Sequence, residues 1–371
     1  MIIAVLLLAT EFRGDTEARS VRANDLGTPT EVAIDANGVE EPATIALSRF
    51  GVTGQVTAFV RRVSVPRPPA VFHVRDEWVY RGSDGVTGGG QFALSSDYTD
   101  SSDPVLIASA NGQVYAMGRV MNRDAGNNNS TNPASIRVWP SADGGASFPG
   151  TGSEVDMLPA GATRTVDKPW IAVSPEGIVY AAWVRADLTG NGQSQIMFRR
   201  SGNGVARAHI CCGRPATWDA LVAVSTPGDV TGPQIVIDNA GFVYVIRTDF
   251  AARQLRIARS LHPTAAPEPN GIPDGMTAFG TTQTVATFNR IGAGLSANSI
   301  AGGIRVLPLA SAAHSAATNA IVVAWSDGEA DQSPHTDVRL TRGVAGPTMT
   351  STECGNWSQR YNREYAQARG H

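Results

Sequence analysis

Lysine is nearly absent. The 371-residue chain carries 30 Lys and Arg residues, and Lys168 is its single lysine. Its positive charge therefore resides in fixed, planar guanidinium groups that match carboxylates. Cysteine is sparse as well, at three. Cys211 and Cys212 are adjacent and Cys354 is distant, so no disulfide framework is encoded. Long apolar runs are missing. The longest, Ile2 to Ala9, is too short to span a bilayer and no charged segment precedes it, so it reads as a buried strand or the core of a weak signal peptide. Charged residues make up 17% and the formal net charge is −3. That leaves no basic stripe of the kind that binds nucleic acid. Phosphate-cradling glycine loops and Gly-x-Ser-x-Gly elbows are absent too.

Turn chemistry is plentiful. Gly (39) and Pro (22) make up about 16% of residues, against roughly 12% on average. With 42% hydrophobic residues the chain can bury a large core, which excludes general disorder.

Three segments align without gaps: PVLIASANGQVY from Pro104 to Tyr115, PWIAVSPEGIVY from Pro169 to Tyr180, and PQIVIDNAGFVY from Pro233 to Tyr244. Each is an apolar run, a turn ending in Gly112, Gly177 or Gly241, and a second apolar run, which predicts a β-hairpin. Ile321 to Trp325 repeats the second run. A third alternating stretch follows each hairpin, as in Gln195 to Ser201, Gln254 to Ser260 and Asp337 to Gly343, with Ile45 to Phe50 as an earlier copy. Each ends on an arginine (Arg49, Arg200, Arg259, Arg342), whose recurrence in every unit marks a structural role. Ser141 to Phe148, SADGGASF, is the best copy of the turn and fourth strand that follow, its Ser and Asp suited to capping turn N–H groups. Trp218 and Phe279 are expected to close the same step in later units.

Four strands repeating at about 65 residues predict an all-β fold, a β-propeller of four-stranded antiparallel blades. Six blades are expected, with five or seven as alternatives. A single domain over residues 1–371 is expected, with clear blades at about 100–347. Residues 1–99 would supply a degenerate blade and closing strands.

SADGGASF at 141–148, VDKPWIAVSPEGIVYAAW at 166–183, GPQIVIDNAGFVYVI at 232–246 and VVAWSD at 322–327 resemble the sialidase (neuraminidase) superfamily, specifically bacterial Asp-box or BNR-repeat proteins. The resemblance covers roughly residues 100–345. It implies a secreted or cell-surface bacterial protein acting on a carbohydrate or glycoconjugate. It also implies three arginines around a sugar carboxylate, an Asp acid/base, and a Tyr nucleophile activated by a Glu. The family's N-terminal Phe-Arg-Ile-Pro type motif has no match; Val65-Pro66-Arg67-Pro68 is the nearest string. A non-catalytic glycan- or protein-binding propeller is the alternative.

The repeat suggests where a site would lie. Arg119, Arg185 and Arg247 follow Tyr115, Tyr180 and Tyr244 near the end of the second strand and are candidates to hold an anion. Asp103, Asp187, Asp249 and Asp327 are further substrate-binding candidates. Asp103 and Asp167 are expected at blade crossings just before a first strand, and Asp167 is the candidate general acid if burial raises its pKa. Tyr361 and Glu364 are the candidate nucleophile pair by position, though RYNREY reads more readily as an amphipathic terminal helix. No metal and no cofactor are expected. The loop from Asp187 has alternating oxygen donors like a calcium loop but lacks a closing bidentate acid. The protein is expected to be a monomer with no membrane span and no nucleic-acid partner.

Overall fold

The computed structural model describes residues 39–46, 55–67, 70–82, 90–94, 98–122, 133–201, 218–261, 263, 279–289, 299–300, 304–305, 307–328, 336–344 and 358–360, except 111, 176 and 192. The chain divides into two compact units, Met1–Glu31 and Val32–His371, and every described residue belongs to the second. The described residues contain strands and no helix. None of them forms a helix long and apolar enough to cross a membrane.

Five four-stranded antiparallel sheets follow one another, each with its strands paired in sequence order. Sheet 1 holds β1 (Val39–Ala46), β2 (Gln55–Arg67), β3 (Ala70–Gly82) and β4 (Gly90–Ala93). Sheet 2 holds β5 (Asp100–Ala108), β6 (Val114–Met121), β7 (Ala134–Ser141) and β8 (Ser153–Leu158). Sheet 3 holds β9 (Arg164–Val173), β10 (Val179–Asp187), β11 (Gln195–Arg200) and β12 (Val222–Ala223). Sheet 4 holds β13 (Val230–Ile237), β14 (Val243–Asp249), β15 (Gln254–Arg259) and β16 (Gln283–Thr287). A two-stranded ribbon, β17 (Ser299–Ile300) and β18 (Ile304–Arg305), precedes sheet 5. Sheet 5 holds β19 (Ser311–Ser315), β20 (Ala320–Gly328), β21 (Thr336–Val344) and β22 (Ser358–Arg360).

The three aligned segments form three like hairpins. Gly112, Gly177 and Gly241 have φ of 82°, 87° and 82°. Their N–H groups donate to Ser109, Ser174 and Asp238 carbonyls at 3.0, 2.9 and 3.0 Å. A residue without a Cβ suits that left-handed backbone. The step into the fourth strand also repeats. Ser201 bridges Trp218, and Ser260 bridges Phe279. Arg200 pairs with Asp219 at 2.8 Å, and Arg259 stacks on the Phe242 ring at 3.5 Å, so both repeated arginines are structural.

Sheet 1 departs from the sequence expectation. Val39–Ala46 is its first strand, so Ile45 and Ala46 do not open a third strand as expected. Its second and third strands are complete, and β2 pairs with β3 over 13 residues. Charged residues such as Arg61, Arg62, Arg75, Asp76 and Glu77 interrupt the apolar alternation there and hide the strands.

Side-chain alternation builds one apolar core between each pair of consecutive sheets. Val179, Ala181 and Trp183 of β10 pack toward sheet 2, while Tyr180, Ala182 and Val184 pack toward sheet 4. Tyr244 and Ile246 of β14 pack toward sheet 5, and Val243 and Val245 toward sheet 3. Trp139 and Phe148 meet Val56 and Ala58 between sheets 1 and 2.

The first strands of sheets 1 to 4 share an irregularity at an Xaa-Pro step. Pairing skips Glu41-Pro42, Asp103-Pro104, Lys168-Pro169 and Gly232-Pro233. Asp103, Lys168 and Gly232 have φ of 56°, 47° and 59°. These are β-bulges, with left-handed backbone at two residues that carry side chains. Each such residue costs about 1–3 kcal/mol, held in place by the surrounding sheet.

Candidate functional site

Asp103 and Asp167 do not precede their first strands, as the sequence suggested; they lie inside β5 and β9, because each strand bulges at its Xaa-Pro step and continues. The structure brings them together. Lys168, at the bulge of β9, forms an ion pair with Asp103, at the bulge of β5. The Ser102 hydroxyl donates to Asp103 at 3.0 Å. Arg119 on β6 faces the next sheet, where Nη1 lies 4.0 Å from Asp167 and Nη2 donates to Thr165 Oγ1 at 3.3 Å. The Asp167 side chain is 31% exposed. Burial and the nearby Asp103 charge push its carboxyl above the usual carboxylate range, against the pull of the Lys168 and Arg119 cations.

Arg185 enters the same inter-sheet gap from the opposite side. Its Nε and Nη2 donate to Asp156 at 2.9 and 2.7 Å. Trp183 Nε1 adds a third bond to Asp156 at 2.8 Å. Arg185 is thus committed to a carboxylate of the protein itself.

Arg247 lies elsewhere. It continues the Val243–Val245 face of β14 and so points into the gap between sheets 3 and 4. The register explains the split. Arg119, Arg185 and Arg247 stand four, five and three residues beyond their tyrosines, and an odd offset reverses the face. Arg247 is only 4% exposed and opposes Arg256 directly across the strand pair. Nη2 donates to Thr282 at 3.0 Å, while the buried Nε and Nη1 have no hydrogen-bond partner. Burial, and then the Arg256 charge, lower its pKa to about 10.

The remaining acids serve local structure. Asp187 caps its own loop, accepting from Thr189, Asn191 and Gln193 N–H at 3.0, 2.8 and 3.3 Å. Asp249 accepts from Ala252 N–H at 2.9 Å and pairs with Arg256 at 3.1 Å. Asp327, 1% exposed, accepts from Asn289 N–H at 2.6 Å and pairs with Arg339. Tyr361 and Glu364 lie outside the described residues. No cluster of three or more His, Cys, Asp or Glu side chains suited to a metal ion occurs among the described residues.

Sequence reasoning did not assign Lys168, Asp156 or Arg256 a part. Lys168 was marked by being the only lysine and by the Asp-Lys-Pro step aligned with other Xaa-Pro steps. Asp156 carried no such mark, since its partners are 27 and 29 residues away on another sheet.

No protein-family model matches the chain, and no characterised protein matches its sequence. Its structure is similar to that of a Dyadobacter fermentans protein of unknown function, at 13% identity over 87% of this chain and 83% of that one, with a TM-score of 0.53. It is similar to the Hadza microbial sialidase Hz136, at 10% identity over 84% of this chain and 57% of that one, with a TM-score of 0.50. A mutant NanB sialidase from Streptococcus pneumoniae matches at 8% identity over 92% of this chain and 65% of that one, with a TM-score of 0.53. The chain spans less than two thirds of each sialidase. At these identities the likeness is one of fold, and the fold is a sialidase-like β-propeller.

Proposed function

We propose that the chain is a sialidase-like glycoside hydrolase acting on an acidic glycan. The observation that carries this reading is the Asp167 carboxyl, which is partly exposed, retains its proton more readily than an ordinary aspartate, and faces a guanidinium. A carboxyl of that kind suits protonation of a glycosidic leaving oxygen. Arg119 lies beside it and would hold the anion of the sugar. Arg185 serves as a brace for Asp156 in this reading. The sialidase neighbours support a carbohydrate ligand. The same reading takes SADGGASF as an Asp box, a six-bladed closure, and an extracellular or cell-surface location.

The test is a screen with fluorogenic glycosides of anionic and neutral sugars. Turnover of an anionic glycoside is expected, falling at least about 100-fold in Asp167→Asn. Arg119→Gln is expected to weaken substrate binding more than turnover.

A second reading, a non-catalytic glycan-binding propeller, is favoured by the carboxylates that already engage Arg119 and Arg185. It predicts anionic glycan binding that survives Asp167→Asn, with no turnover by the wild type.

A further inference from the structure

The tandem bulges pair Asp103 and Lys168 across two sheets, beside Asp167 on β9. Bulges on consecutive first strands bring Asp103 and Lys168 together from positions 65 residues apart. Both residues hold a left-handed backbone immediately before a proline. Such a conformation is unfavourable at either residue, and here it occurs at both ends of one ion pair. The aligned bulge of sheet 4 carries Gly232, where a Cβ would lie 2.7 Å from Leu309 Cδ2. The bulge therefore belongs to the fold, whereas the charged pair is particular to sheets 2 and 3. The Asp103 side chain is 12% exposed and that of Lys168 33%. Asp167 immediately precedes Lys168 on β9.

We infer that Asp103 and Lys168 are positioning residues that together set the proton affinity of Asp167. This rests on the reading of Asp167 as the acid. Among the described residues, the charged groups facing Asp167 are Asp103 from β5, Arg119 from β6 and Lys168 from its own strand. Asp103 opposes ionisation of Asp167 and Lys168 favours it. Their pairing sets opposite charges against each other at Asp167. The carboxyl then keeps a proton more firmly than a solvated aspartate without being locked neutral. Removing either partner exposes Asp167 to the uncompensated charge of the other. The two removals must then act in opposite directions, which simple loosening of the fold would not produce.

The experiment titrates Asp167 directly in the full-length protein without substrate, by carboxyl-carbon NMR with the signal assigned through Asp167→Asn. Lys168→Met is expected to weaken Asp167 acidity about tenfold, and Asp103→Asn to strengthen it by a similar factor. The double variant should titrate near the wild type, and Lys168→Arg, which retains the cation, should change little. Shifts in the same direction for both single variants, or no shift in either, would overturn the inference. If Lys168→Met does not fold, Asp103→Asn and Lys168→Arg still decide it. In these two, acidity strengthened in the first and unchanged in the second supports the inference, and any other pattern overturns it. Opposite shifts in a protein that turns over no glycoside would keep the inference and remove the glycosidase reading. Where activity is present, the alkaline limb of its pH profile should move with the titration.

Discussion

The guanidinium of Arg185 meets the carboxylate of Asp156 edge to edge, with Nε at 2.9 Å and Nη2 at 2.7 Å, across the gap between sheets 3 and 2. Asp156 is 5% exposed and also accepts the indole N–H of the fully buried Trp183. Two-point pairing of this kind fixes geometry as well as charge. Removing the acid leaves a guanidinium and an indole N–H without their acceptor. Asp156→Ala is expected to cost about 3 kcal/mol, at the low end for a broken buried pair because Arg185 keeps some solvent contact. Denaturant unfolding of Asp156→Ala, Arg185→Met and the double variant measures the coupling. Additive losses would show that the pair contributes no coupling energy.

Two glycines with nearly the same backbone separate conformational strain from crowding. Gly112 has φ +82° and a Cβ there would meet nothing within 4 Å. Gly145 has φ +85° and a Cβ there would lie 2.7 Å from Val56 Cγ2. Val56 is fully buried on the neighbouring sheet and stiff at χ1, so it cannot swing aside. Gly112→Ala is expected to cost about 1–2 kcal/mol from backbone strain alone. Gly145→Ala should lose a further 1–3 kcal/mol, roughly, through overpacking between sheets 1 and 2. Equal unfolding free energies for the two variants would mean that the Ser141–Phe148 turn does not seat against sheet 1.

The sequence made the hairpins of sheets 2 to 4 legible because their signals are local. A glycine at φ near 80° and an apolar alternation on either side are visible within a dozen residues. The site was only partly legible. Asp167 and Arg119 could be singled out from their place in the repeat. Their contact depends on β6 facing the next sheet, and one residue of offset sends Arg185 and Arg247 the other way. The Asp103–Lys168 pair joins positions with no local pattern in common except the following proline. Sheet 1 was obscured for a different reason: β2 and β3 carry charges within long strands, and the pattern of alternation fails exactly where the pairing is longest.

Arg247 is a buried cation whose removal should stabilise the fold. Its buried Nε and Nη1 have no acceptor, and the cation opposite is another arginine. A buried polar group without a partner costs about 1–3 kcal/mol. Arg247→Met fills a similar volume without the charge and is expected to raise unfolding free energy by about 1–2 kcal/mol. Denaturant unfolding of the wild type and Arg247→Met measures the change. A destabilised Arg247→Met would mean that the guanidinium is satisfied in solution.

Two aspartates should bend the pH dependence of stability in opposite directions. The Asp187 carboxylate is held at about 2, chiefly by the Thr189 hydroxyl and then by surrounding N–H groups. Its folded value lies below the ordinary 3.8, so its stabilising contribution is present above 3.8 and is lost as pH falls through about 2. Asp167 has the reverse sign. Its folded value lies above 3.8, raised first by burial and then by Asp103, so the native state holds a proton that the unfolded chain has released. Stability associated with Asp167 is therefore full below 3.8 and erodes as pH rises through the folded value. Asp187→Asn should flatten the acid side of the stability curve, and Asp167→Asn should flatten the fall on the side toward neutrality. Denaturation midpoints measured from acid to neutral pH distinguish the two. A wild-type curve that Asp167→Asn leaves parallel at every pH would show that the carboxyl titrates alike in the folded and unfolded chain, and the acid assigned to this site would lose its physical basis.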